Sequence, residues 1–220
     1  MNPNEWEECF LLHQRSYGDT SIIAEIFTRQ SGKMSVIARG AKKPKSKFFG
    51  YLVPFSKLQI TYSGRSELKT LTNIDRDLSL LDNNLSKKSY SLLYINELMI
   101  KLLPKDAANE DLFTLYSNFI EASVKEADMK FLLRSFELDL LEMLGYGINF
   151  QTDIDAHEPI EASLDYIFIA ERGFQVSNKD PDFSGQDIID IRNRNLVNVS
   201  SNKLKQLTQA TIMFCLEGKD

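Results

Sequence analysis

Lys33-Met34-Ser35-Val36-Ile37-Ala38-Arg39 is the stretch that decides the fold. Met34, Val36 and Ala38 point one way along it, and Lys33, Ser35, Ile37 and Arg39 the other, the period of two of a β-strand. Leu58, Ile60 and Tyr62 repeat the pattern within Lys57–Tyr62. Three further runs favour strands, at about Glu8–His13, Thr20–Thr28 and Glu67–Ile74. Tyr17-Gly18-Asp19, Ser31-Gly32 and Ser63-Gly64-Arg65 supply turns between the runs. Five short strands with no intervening helix long enough for a crossover predict a small closed barrel. The five-stranded oligonucleotide-binding (OB) barrel is the commonest such object.

Downstream the apolar period changes. Leu85–Leu103 is apolar on most sides and stops at Pro104. Glu110–Ala127 carries a stripe through Leu112, Leu115, Tyr116 and Phe119. Asp128–Leu144 carries another through Phe131, Phe136, Leu140 and Leu141; Asp128 can cap its start, and Gly145 suits a left-handed residue after its end. Leu164–Ala170 and Gly173–Val176 suggest a hairpin, followed by helices over 187–194 and 202–216. The expected organisation is an α+β chain with two domains. Residues 1–80 form an OB-type barrel, and residues 81–220 an α-helical domain with an irregular hairpin insertion at 148–182.

From Ile26 to Ser66 there are nine Lys or Arg residues and no Asp or Glu. Residues 1–80 hold 12 basic and 8 acidic residues, net +4, whereas 81–220 hold 14 and 23, net −9. One end of an acidic protein is therefore suited to a polyanion, with nucleic acid the natural candidate. The basic run peaks at Lys42-Lys43-Pro44-Lys45-Ser46-Lys47. Pro44 disfavours ladder pairing, which predicts a loop between the third and fourth strands. The candidate DNA-binding cations are Arg29, Lys33, Arg39, Lys42, Lys43, Lys45, Lys47, Arg65 and Lys69. Phe48, Phe49 and Tyr51 follow the lysines directly. They either stack on bases or, as is usual for Phe, fill the core.

Catalysis finds little support, and the expectation is a binding protein and not an enzyme. The GxxxxGK, GxSxG and HExxH patterns are all missing from the sequence. A nuclease acting through Asp75 and Asp77 with a metal is the rival enzyme reading, and a scaffold that binds only proteins is the other rival. Asp153, Asp155, His157 and Glu158 read as an acidic loop before they read as a cation site. Cys9 and Cys215 lie in apolar segments and suit buried thiols. No apolar run is long enough to cross a membrane, and the N-terminus lacks an apolar signal core. Arg134 is the only basic residue between Phe131 and Gly147. It can pair with Glu137 on a solvated face, or it can stand at the rim of an apolar groove to take a partner's carboxylate.

Several segments together resemble the RecO family of bacterial recombination mediators. They include Tyr17-Gly18-Asp19-Thr20-Ser21, Phe27-Thr28 with Ser31-Gly32-Lys33, and Val36-Ile37-Ala38-Arg39-Gly40-Ala41. Pro54-Phe55, Gly64-Arg65-Ser66-Glu67-Leu68-Lys69-Thr70-Leu71 and Tyr94-Ile95-Asn96-Glu97-Leu98 continue the match. Arg134-Ser135-Phe136-Glu137-Leu138 and Leu144-Gly145-Tyr146-Gly147 complete it. Their order and spacing are specific together, although none is diagnostic alone. The resemblance implies an OB barrel followed by helices, binding of single- and double-stranded DNA, annealing of complementary strands, and help in loading recombinase during recombinational repair. It implies partnership with RecR and docking of the acidic C-terminal tail of single-stranded DNA-binding protein (SSB) near Arg134. It also implies a bacterial cytoplasmic, nucleoid-associated protein, monomeric when alone and without a cofactor. Many family members carry a four-cysteine zinc site after the Leu-Gly-Tyr-Gly segment. Here Asn149-Phe150-Gln151-Thr152-Asp153 stands in that place, and no metal is expected. Relatives often extend into a basic tail, whereas this sequence stops at Gly218-Lys219-Asp220.

Overall fold

Strands β1 (Glu7–Tyr17), β2 (Ser21–Thr28), β3 (Gly32–Ala38), β4 (Lys57–Ser63) and β5 (Leu68–Arg76) close a barrel in the order β1-β2-β3-β5-β4. The computed structural model describes residues 5–76, 85–125 and 128–218, and for 85–89 the backbone only. Neighbouring strands are antiparallel except β3 and β5, which run parallel. This is the OB architecture. The alternation read from the sequence sets the inside: Met34, Val36 and Ala38 meet Leu58, Ile60, Ala24 and Ile26 in one buried cluster. β1 runs four residues beyond the expected end at His13, so the turn begins only at Gly18.

β1 carries a bulge between Leu11 and His13. A bulge leaves ladder groups unpaired, and these are inside the protein. The buried Asn96 amide answers them by donating to the carbonyls of Leu11 and Leu12, at 3.4 and 2.9 Å. Asn96 lies on α1 (Leu85–Leu102), and its Oδ1 in turn accepts from the Tyr116 hydroxyl on α2 (Glu110–Val124). Burial pushes the Tyr116 phenol well above its ordinary pKa, so it remains a donor. Phe10 and Phe27 pack against Phe113 and Tyr116 with ring centroids 5.0–6.4 Å apart. α2 starts where expected, capped by Asn109, whose side chain accepts from the Leu112 N–H.

By compactness the chain divides into Met1–Ala127 and Asp128–Asp220. The sequence reading divided it at residue 80, where strands give way to helices. The first compact unit extends past that point because α1 and α2 pack on the barrel wall through the contacts just given.

The second unit holds α3 (Met129–Met143), β6 (Asp165–Ile169), β7 (Gly173–Val176), β8 (Phe183–Ser184), α4 (Gly185–Arg192) and α5 (Ser201–Glu217). Asp128 caps α3 and Gly145 takes φ +84° after it. The expected hairpin is β6–β7, with β8 pairing on the other side of β6. Tyr166, Phe174, Phe183, Ile188, Leu204 and Leu207 centre its core. The acidic loop after α3 is organised by Asp153, whose carboxylate accepts from the N–H groups of Asp155, Ala156 and Glu158 at 2.8–3.0 Å. Those bonds, with His157 nearby, hold its carboxyl below the ordinary aspartate range. Among the described residues no group of three or more His, Cys, Asp or Glu is placed to hold a metal ion. Asp77, paired with Asp75 in the nuclease reading, lies outside the described residues. Cys9 and Cys215 are both buried, as their apolar segments predict. No helix among the described residues is long and apolar enough to cross a membrane.

Candidate nucleic-acid interface

The basic segment after β3 is a loop, as Pro44 predicts, and it is built from successive tight turns. Backbone N–H groups of Ala41, Lys43, Ser46, Phe49 and Tyr51 each donate to the carbonyl three residues earlier. Lys42 N–H reaches across to the Thr20 carbonyl at 2.9 Å and ties the loop to the β1–β2 turn. Ala41, Phe48 and Leu52 plug the barrel end as part of its core. That plug turns Lys43, Lys45 and Lys47 out to solvent.

A groove of about 850 Å³ lies beside this loop on the barrel wall. Arg39 and Lys43 supply its charge, Thr20, Ser21, Ser66 and Thr70 its hydroxyls, and the half-exposed Tyr17 an aromatic face. Among the described residues no carboxylate lines it. Among the described residues Arg39, Lys43 and Lys45 make no side-chain hydrogen bond or ion pair. Lys42 Nζ donates weakly to the Gly18 carbonyl at 3.4 Å, and Lys47 Nζ donates to Asn73 Oδ1 at 3.0 Å while lying 5.4 Å from the Phe48 ring. Cations without internal partners keep their full attraction for phosphate.

The remaining sequence candidates are held differently. Arg29 is committed internally: its guanidinium pairs with Glu8 at 2.8 Å and Glu110 at 3.3 Å and lies 4.6 Å from the Phe113 ring centroid. Lys33 is buried, and its ammonium donates to the Ile100 carbonyl in the last turn of α1, where the helix dipole favours a cation. Neither offers a free charge to DNA, and both are left out of the interface proposed below. Arg65 and Lys69 line a second cavity at the mouth of the barrel, together with Glu5, Glu7 and Asp106. The aromatic candidates also divide: Phe48 is 6% exposed and belongs to the core, Phe49 is 51% exposed, and Tyr51 is partly exposed. Of these three, Phe49 and Tyr51 can offer a face to a base.

Arg134 pairs with Glu137 at 2.9 Å, as one sequence reading had it, but inside the protein and not on a solvated face. It is 8% exposed, Glu137 is 0% exposed, and a second guanidinium bond reaches Thr208 on α5 at 2.9 Å. This is an α3–α5 clamp. A guanidinium so engaged is not set to receive a partner's carboxylate.

Sequence reasoning missed Arg15, Tyr17 and the groove hydroxyls. Arg15 is exposed and shares one cross-strand row with Ile23, Ile37 and Thr70. Alternation along β1 would have found Arg15 and Tyr17, but the Leu11/His13 bulge inverts the alternation before it reaches them.

Barrel order and groove together define an OB-fold protein with a polyanion-compatible face. Family models for the N-terminal part of recombination protein O match residues 1–76, and for its C-terminal part residues 86–217. A DNA repair protein RecO from Psychromonas ingrahamii is 33% identical over 220 residues, covering 98% of this chain and 94% of that protein. Proteins of the same name from Hamiltonella defensa and Pectobacterium atrosepticum are 38% and 33% identical. They cover 80% and 97% of this chain, and 76% and 89% of their own lengths. The chain belongs to the RecO family.

Proposed function

We propose that this chain acts in recombinational DNA repair by holding a DNA strand along the groove and loop of the barrel and annealing it to a complement. DNA repair is the function its homologues support. The observation that carries the finer reading is a groove lined by Arg39 and Lys43 and, among the described residues, by no carboxylate, flanked by Lys42, Lys45 and Lys47. Two DNA strands repel each other through their phosphates. A cationic wall that neutralises one strand lowers that repulsion, while Phe49, Tyr51 and Tyr17 offer stacking faces that act on any sequence. Both single- and double-stranded DNA present the phosphates such a wall binds. The resemblance brings RecR and the SSB tail into this reading as partners, with the tail seated on groups other than Arg134. In this reading the protein works in the bacterial cytoplasm, at the nucleoid.

The test is oligonucleotide binding across a salt series. Five neutralised phosphates give a log–log slope of about −3.5 for single strands. Replacing Arg39, Lys43 and Lys45 by Gln should flatten the slope by about 2 and slow annealing. A slope near zero in the unaltered chain would sink this reading and favour a scaffold that contacts only proteins.

A further inference from the structure

We propose that the barrel mouth binds a single splayed nucleotide, with Lys69 and Arg65 on its phosphate and the Glu7 side of the cavity on an amino-bearing base. This deepens, and rests on, the strand-binding reading above. The cavity measures about 640 Å³, within the roughly 300–1,000 Å³ of small-molecule sites. Its charges are sorted by element. The carboxylates come from Glu5, from Glu7 at the start of β1, and from Asp106 after α1. The cations come from the β4–β5 turn and the start of β5.

Glu7 is 3% exposed and fixed by three donors: the Gln30 N–H at 2.8 Å, the Tyr62 hydroxyl at 3.0 Å and the Ser31 hydroxyl at 3.2 Å. A carboxylate has roughly four acceptor positions, so one side of Glu7 still has capacity for an exocyclic amine. Burial pushes the Tyr62 phenol up to about 12, which keeps it protonated and its ring neutral beside the apolar Met34. A purely cationic ligand would meet Lys69 and Arg65, and a purely anionic one would meet three carboxylates. A nucleotide of cytosine, adenine or guanine has both halves, whereas thymine has no amine to donate.

The cavity and the groove are lined by neighbouring residues of the chain. Ser66 lines the groove and Arg65, its neighbour, lines the cavity. Along β5, Leu68 and Thr70 face the groove and Lys69, with period-two alternation, the mouth. A strand lying in the groove can therefore turn one residue over the Arg65–Ser66 turn, and unstacked bases are read on their polar edges in this way.

The full chain is titrated with dCMP, dGMP, dTMP and inorganic phosphate, following backbone amide signals of Gly64, Arg65 and Lys69. dCMP and dGMP are expected to move these signals and to bind about tenfold tighter than dTMP. Lys69→Gln should weaken dCMP about tenfold, and it leaves the donors that hold Glu7 in place. Equal binding of dTMP, equal shifts with phosphate alone, or no shifts at all overturn the proposal. Loss of oligonucleotide binding with dCMP binding intact overturns the strand-binding reading alone. Oligonucleotide binding with a silent mouth overturns this one alone.

Discussion

The loop after β3 and the seam between barrel and helices take their cations from the same carboxylate-free run of sequence, yet they use them in opposite ways. In the loop, Arg39, Lys43 and Lys45 face solvent with no partner among the described residues. At the seam, Arg29 is shared between Glu8 and Glu110, and Lys33 closes the end of α1. Arg134 repeats the seam pattern in the second unit. The difference lies in what the fold brings within reach. A cation near a carboxylate or a helix end becomes structural, and one carried on a loop whose own side chains plug the barrel stays available.

That contrast can be broken by experiment. The largest effect is expected for Arg134→Ala, which leaves the buried Glu137 carboxylate without its cation and should cost about 3–5 kcal/mol in denaturant unfolding. Its salt slope on DNA should be unchanged. A variant of wild-type stability with weakened DNA binding would place Arg134 with the loop cations. Arg29→Ala should cost about 1–2 kcal/mol, because its charged hydrogen bonds are only partly buried. Oligonucleotide affinity should hold within about twofold, and a drop matching that of a groove lysine would contradict the assignment.

Acid gives the smallest effect. Burial raises the Glu8 carboxyl, but hydrogen bonds from Arg29 and Lys57 outweigh it and leave its pKa lowered. A depressed folded pKa stabilises above the unfolded value of about 4.3 and is lost as pH falls through the folded one. Unfolding midpoints should therefore decline below about pH 4, less so in Glu8→Gln. A decline already present between pH 7 and 5 would point to other groups.

Much of the barrel could be read from sequence because its rule is local. The alternation in Met34-Ser35-Val36-Ile37-Ala38 fixes which side is inside, and the structure buries Met34, Val36 and Ala38 in the barrel core. The start of α2 and both ends of α3 were equally legible, at Glu110 and through Asp128 with Gly145. What could not be read was partnership across distance. Arg29 meets Glu110 81 residues away, and Arg134 meets Thr208 74 residues away. Neither pairing leaves a periodic trace. Phe48 and Phe49 took opposite fates because a chain of tight turns has no repeating inside and outside. The two-residue strand β8 is too short to carry any pattern.

The four-ring cluster of Phe10, Phe27, Phe113 and Tyr116 has a practical corollary for anyone dissecting this molecule. Scissors applied at residue 80 would strip two phenyl rings of their cover, each burying roughly 150–250 Å² when packed, and the severed piece would be sticky. A cut at residue 125 keeps the quartet together and is the place to isolate the barrel half.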